Sequence, residues 1–320
     1  MHVRRAVALC LFLLLLTGSA ASAAVTRVTL SAVGDITIGG DPRKGANVMG
    51  SEKYYARLNK RYRGGFLKKV RRRLKGITIA NLESSFTTSR KFSDKSYVFR
   101  ADPAYARILS RGGINVVTHA NNHAGDFAGG ARSTWAAVGA RGIAYVGNGR
   151  SIIRKYKGVR IGFCAFNALN DTNPEPIVRV VQRLKKKCHL VVVSIHWGIE
   201  YRYRTSDDQR RLGRAAVDAG ASLVLGHHSH VVGEIEKYRG AHIVYSLGTF
   251  SAPILTPQDM DTFIFIQSFK VDTATRRVKA GSPTIIPCSM SSRAKVNDGR
   301  PRILKGKAKK RVLRKIRSLG

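Results

Sequence analysis

The chain has 320 residues, with 57 Lys and Arg against 19 Asp and Glu and a formal net charge of +38 at pH 7. That length fits one large α/β domain, or such a domain with a small appendage. The charge favours anionic partners through long-range attraction and says nothing of fold. Beyond the first 24 residues stand three cysteines, Cys164, Cys188 and Cys288, spaced too widely for a metal motif or a disulfide framework.

Arg4 and Arg5 precede an uninterrupted apolar run, Ala6 to Leu16, and Ala21-Ser22-Ala23 is a small-residue cleavage signal. The run is well short of the ~20 residues that a spanning helix needs. Residues 1–23 therefore read as a secretory signal peptide, with an uncleaved anchor as the alternative. The mature chain is expected to be secreted, or held at the cell surface or in the periplasm.

An alternating strand over Arg27–Ile38 delivers Asp35 near its end. Ser51 to Lys75 reads as a basic helix in which Leu67, Val70 and Leu74 recur at helical spacing. Those three residues would dock it on a sheet; binding to an anionic membrane surface is the other reading. The strand Ile77–Ala80 leads to Asn81-Leu82-Glu83. A helix from Pro103 stops at Gly112-Gly113, and the strand Ile114–Val117 leads to Asn121-Asn122-His123. A helix through Trp135 follows, then short strands near Ala144–Val146 and Val159–Phe166 and a basic helix over Ile177–Lys187.

Three apolar runs come next. Leu190–Ile195 ends on His196-Trp197-Gly198, Ser222–Leu225 on Gly226-His227-His228-Ser229-His230, and Ala241–Tyr245 on Ser246-Leu247-Gly248-Thr249-Phe250. A helix through Leu212, Ala215, Ala216 and Ala219 links the first two. Thr262–Val271 alternates clearly and, with Arg277-Val278 and Thr284–Ile286, reads as antiparallel edge strands finishing the sheet. Arg293–Gly320 carries twelve Lys and Arg against the single acid Asp298. It reads as a partly disordered basic tail with a helix over Arg311–Leu319. The expected division is thus a domain over 24–290 and a tail over 291–320.

Open α/β sheets place ligands at the carboxyl ends of their strands. The ends here deliver Asp35, Glu83, Asn122, His123, His196, His228 and His230. Carboxylate, amide and imidazole donors suit a borderline divalent metal such as zinc, manganese or iron, as one ion or two. No G-x-S-x-G elbow, Walker loop or Rossmann fingerprint is present.

The set GDI at Gly34, NLE at Asn81, ANNHAGDF at Ala120, IHWGIEY at Ile195, GHHSHV at Gly226 and YSLGTF at Tyr245 resembles the CapA family of capsule-synthesis, poly-γ-glutamate-associated proteins. The resemblance spans about Val28 to Ser268. It implies a layered α/β fold of the calcineurin-like metallophosphoesterase type. By similarity to that fold, Asp35 matches the first-strand aspartate, Glu83 the bridging carboxylate, and Asn122 and His123 the amide ligand and the proton donor. His196 matches an imidazole ligand and His228 with His230 the terminal H-x-H pair, with His227 as an alternative to His228. Thr37 stands where those enzymes carry a histidine ligand, and Thr249 where the family usually has asparagine.

The expected function is work on an extracellular anionic polymer by metal-assisted hydrolysis or transfer, beside a membrane-bound polymer synthase. The alternatives are a non-catalytic polyanion-binding assembly factor and an extracellular phosphoester hydrolase. Nucleic acid is not the expected partner, because an exported chain seldom meets it.

Overall fold

The computed structural model describes residues 25–147, 149–253, 260–294 and 296–320. The signal peptide expected over residues 1–23 lies outside them. In chain order the first strands are β1 (Val25–Ile36), β2 (Ile77–Leu82), the short parallel pair β3 (Ser85–Phe86) and β4 (Arg100–Ala101), β5 (Val116–Thr118) and β6 (Ala144–Val146). Then come β7 (Ile152–Tyr156), β8 (Val159–Asn167), β9 (Leu190–His196), β10 (Leu223–His227), β11 (Ile235–Tyr238) and β12 (Ala241–Val244). The last are β13 (Thr249–Ser251), β14 (Asp261–Asp272), β15 (Val278–Ala280), β16 (Thr284–Ser289) and β17 (Arg302–Ile303). The helices are α1 (Glu52–Tyr62), α2 (Ala106–Gly112), α3 (Gly130–Gly139), α4 (Glu175–Lys187), α5 (Asp207–Asp218) and α6 (Gly306–Arg317).

Apart from the β3–β4 pair, these strands build two sheets. One runs β17-β16-β14-β1-β2-β5-β6, with β13 also pairing β1 and β15 pairing β14; the other runs β11-β12-β10-β9-β8-β7. The chain lays down half of the first sheet, completes the second, and returns to finish the first. Between the sheets lies one apolar core, where Leu30, Ile79 and Phe265 meet Phe163, Val192 and Leu225. A second core packs α1, α2 and α3 on the outer face of the first sheet, and a third packs α4 and α5 on the second. The layering is helix, sheet, sheet, helix. Strands covered on both faces read as continuous apolar runs, which is why β9 is buried along its whole length. Each fully buried Leu, Ile or Phe contributes about 1.5–3 kcal/mol.

The late strands are antiparallel, but β14 is not at the margin. It lies between β1 and β16, with Val28 opposite Phe269 and Ile264 opposite Ile286. The segment Ser51–Lys75 is one helix only as far as Tyr62; turns and a single 3-10 turn over Arg71–Arg73 follow. Leu67 and Val70 are buried in the outer core and Leu74 packs beside them, so this apolar stripe faces the protein.

The expectation of a partly disordered tail is corrected. β17 pairs with β16, and α6 buries Val312 and Ile316 in the core between the sheets. Asp298 is buried and bonds Ser291, Ser292 and the Arg300 N–H, which pins the loop leading into β17. Spacing of apolar residues one helical turn apart outweighs the repulsion of the surrounding cations.

Candidate metal centre

Strand register brings the polar strand ends together. β1 and β2 set Asp35 beside Asn81, while β9 and β10 set His196 beside His227. The β1 register slips at Asp35 on both sides, against β2 and against β13. Such a bulge re-aims a side chain, and here it delivers the carboxylate into the space between the sheets. Gly34 makes this possible: a Cβ there would lie 1.7 Å from the Gly248 carbonyl oxygen, which instead accepts a hydrogen bond from the Asp35 N–H at 3.0 Å.

Asp35 is fully buried. Its Oδ1 accepts from Asn81 Nδ2 at 2.9 Å and meets His227 Nδ1 at 3.0 Å; its Oδ2 lies 3.3 Å from His230 Nδ1 and accepts the His228 N–H. Glu83, also buried, puts Oε1 3.3 Å from His196 Nε2 and Oε2 3.9 Å from His230 Nδ1. His196 Nε2 is also 2.8 Å from Asn122 Oδ1. His228 and His230 have φ of 92° and 61°, conformations that side chains rarely adopt and that cluster at functional sites.

Two groups of ligand atoms result. Glu83, His196 and His228 form one, Asp35, Glu83 and His230 the other, and within each the atoms lie within 4.8 Å of one another. Glu83 belongs to both. The site fits a divalent metal on a further ground: Glu83 Oε1 and His228 Nδ1 are buried with no hydrogen-bond partner among the described residues. Such orphaned atoms cost free energy unless something pairs with them.

Charge follows burial and neighbours. Burial would raise the Asp35 carboxyl, but hydrogen bonds from His227 and His230 outweigh it and hold the group well below the usual range. Burial lifts Glu83 well above that range, and the Asp35 charge adds to the lift. Burial holds His196 far below the ordinary imidazole value; burial and then the His230 charge bring His228 to about 4. For His230 burial is overcome by the Glu83 charge and the Asp35 hydrogen bond, which raise it to about 9. His196, His228 and the ionised Asp35 are in the state that a metal requires of its ligands, whereas Glu83 and His230 are pushed toward their protonated forms and would release those protons on binding one.

His123 stands apart from the two triads. Its Nδ1 is 2.8 Å from Asp126 Oδ2, and its ring lies against Phe99 at 4.4 Å between centroids. Asp126 is buried and also accepts from the Phe99 N–H and from Lys95 Nζ.

A family model for bacterial capsule synthesis proteins, PGA_cap, matches residues 29–253. The chain belongs to that family. Among PGA_cap relatives, PGA biosynthesis protein CapA of Bacillus subtilis (strain 168) is 28% identical over 248 residues, 70% of this chain and 63% of its own length. Capsule biosynthesis protein CapA of Bacillus anthracis is 31% identical over 184 residues, 49% of this chain and 45% of its own. The chain thus spans between about half and two thirds of the length of these relatives. A candidate 5'-nucleotidase from Staphylococcus aureus, solved with alpha-ketoglutarate, superposes with a TM-score of 0.51 at 11% identity, over 92% of this chain and 58% of that one. The two share a layered α/β fold, and the likeness speaks for fold alone.

Within this PGA_cap chain, Asp35, Glu83, Asn122, His196, His228 and His230 converge, and His123 lies outside the two triads, held by the buried Asp126. Thr37 is buried and adds no imidazole. Thr249 makes a polar contact at the site, its Oγ1 lying 3.1 Å from His230 Nδ1. Sequence reasoning passed over three supporting residues. Asn81 holds Asp35; Asn121 donates to Asn81 Oδ1 and to the Leu82 carbonyl; Asp126 orients His123. Each lies inside a quoted motif, NLE or ANNHAGDF, which was the available signal.

Proposed function

We propose that this chain is exported and acts in the synthesis or processing of an anionic capsule polymer of the poly-γ-glutamate kind, by metal-assisted hydrolysis or transfer. The carrying observation is that two triads of ligand atoms share Glu83. Asp35, Glu83, Asn122, His196, His228 and His230 would hold the metal, which is zinc, manganese or iron by donor chemistry. Such a cation supplies Lewis-acid polarisation of a carbonyl or phosphoryl oxygen. Asp126 fixes His123 by its Nδ1, which leaves Nε2 to give a proton to a leaving group. The basic surface concentrates an acidic polymer around the site. Family membership supports the polymer, and the cleavage signal at Ala21-Ser22-Ala23 supports export. A membrane-bound polymer synthase is the partner that fits such a role. Among the described residues no helix is long and apolar enough to cross a membrane.

Metal content by mass spectrometry, beside the size distribution of polyglutamate incubated with the protein, tests this. One or two equivalents of a transition metal and a shortened polymer are expected, both lost in a His196→Ala/His230→Ala variant. No metal after reconstitution would favour the second reading, a polyanion-binding assembly factor, for which Thr37 at the place of a ligand speaks. Turnover of simple phosphoesters but not of polymer would point instead to an extracellular phosphoester hydrolase.

A further inference from the structure

A second cluster of charge lies on the outer helical layer. Residues 53–75 contain eleven Lys and Arg and no Asp or Glu. Where the end of α1 meets α2, a cavity of about 460 Å³ is lined by Asn59, Lys60, Arg63, Tyr105, Arg107 and Arg111, with Ala56 at its side. Its polar lining carries four cations and no carboxylate, and none of the four has an ion-pair partner among the described residues. Elsewhere the molecule does pair its arginines: Arg100 with Glu52, Arg210 with Glu234 and Arg214 with Glu236.

The cations converge. A Cβ built on Gly64 would lie 3.6 Å from Arg111 Nη1 and 3.8 Å from Arg107 Nε, so two guanidinium groups face one backbone position. Arg107 Nε is buried with no hydrogen-bond partner among the described residues, and so is the Oδ1 of Asn59, itself 4% exposed. Arg111 uses Nη1 on the Arg63 carbonyl, and Arg107 lies over the Tyr105 ring. Like charges gathered around a dent, with a buried donor unpaired, are unfavourable without a counter-charge. Guanidinium forks match carboxylate and phosphate oxygens.

We propose that this groove is an oxyanion-binding exosite for a flexible anionic polymer, separate from the metal centre. α2 runs through Gly113 into β5, where the Asn115 N–H bonds the Thr78 carbonyl near the start of β2. The groove therefore lies toward the amino edge of the parallel strands, opposite the carboxyl edge that carries Asp35 and Glu83. A polymer chain held there is anchored without occupying the ligand triads. The geometry favours a polymer over a bilayer. The site is concave, and the apolar residues beside it, Phe66, Leu67 and Val70, are buried and leave nothing to insert among acyl chains.

Fluorescence anisotropy with labelled polyglutamate and labelled polyphosphate tests the proposal and separates carboxylate from phosphate as the recognised group. Two variants, Lys60→Gln/Arg63→Gln and Arg107→Gln/Arg111→Gln, are compared with Lys186→Gln/Lys187→Gln at the end of α4, each checked by circular dichroism. Each groove variant is expected to bind at least one of the polymers about tenfold more weakly, with a shallower salt dependence, while the α4 variant changes less than twofold. The surface pair Lys60/Arg63 decides the matter if the Arg107 variant misfolds. Equal weakening by all three would reduce binding to net charge and overturn the site. Loss of polymer binding in His196→Ala/His230→Ala with the groove variants unaffected would place the polymer at the metal centre alone and overturn it too. Groove-dependent binding to phosphatidylserine vesicles without polymer binding would overturn it in favour of a membrane. Because binding is read without turnover, an inactive metal centre leaves the result intact.

Discussion

Glu83 is the side chain that both ligand triads need, and its Oε1 is among the buried atoms without a hydrogen-bond partner. Glu83→Gln keeps the shape and removes the charge, so metal content is expected to fall at both positions, whereas His228→Ala leaves the Asp35, Glu83 and His230 group in place. Mass spectrometry of reconstituted proteins distinguishes the two; equal loss in both would show that the positions do not fill separately. Asp126 acts on His123 and touches neither triad. Asp126→Asn is expected to slow polymer cleavage by about 10²-fold or more, the usual worth of a positioned acid, with metal content unchanged. The six candidate ligands were legible as polar residues because each sits at or just past the end of an apolar run. Asn81 and Asp126 were not, because their roles arise only when β1 meets β2 and the 91–99 loop folds over His123.

At the scale of elements, the C-terminal segment is held by a carboxylate. Burial would raise Asp298, but hydrogen bonds from the Ser292 side chain and N–H, and from the Arg300 N–H, outweigh it and lower it. A group lowered on folding stabilises above its unfolded value of about 4, and that contribution disappears as pH falls through the native value. Asp298→Asn is therefore expected to cost about 1–2 kcal/mol at pH 7, with the difference closing by about pH 2; urea midpoints measured at pH 7, 5 and 3 follow it. A constant gap across that range would mean that the charge is not what matters. The helix α6 shows how composition misleads. Twelve cations suggested disorder, yet Ala308, Val312 and Ile316 stand four residues apart and all pack on the core between the sheets. The apolar strands were legible one by one, whereas β7, β11 and the two- and three-residue strands β3, β4, β13 and β17 were not, being short or half polar; the division into two sheets was not legible either, because a run buried on both faces carries no mark of which neighbour covers it.

Over the whole molecule, a net charge of +38 acts on stability as well as on partners. Self-repulsion destabilises a compact state, and added salt screens it. The thermal midpoint of the metal-free protein is expected to rise by several degrees between about 20 and 300 mM sodium chloride, read by scanning calorimetry; a flat or falling midpoint would show that counter-charges already balance the surface.

The return of the chain to its first sheet has a consequence for synthesis. β1 meets its antiparallel partner only when β14 has been made, Thr26 waiting for Val271 across most of the sequence. Contacts of such long range close late and slowly. A ribosome making this protein thus holds a polypeptide whose first strand has an open edge until β14 has emerged. Chains that terminate early keep that edge and will seek it in one another. Under the proposed export the delay would be useful, since a chain that has not yet closed is still a thread that a translocation channel can accept.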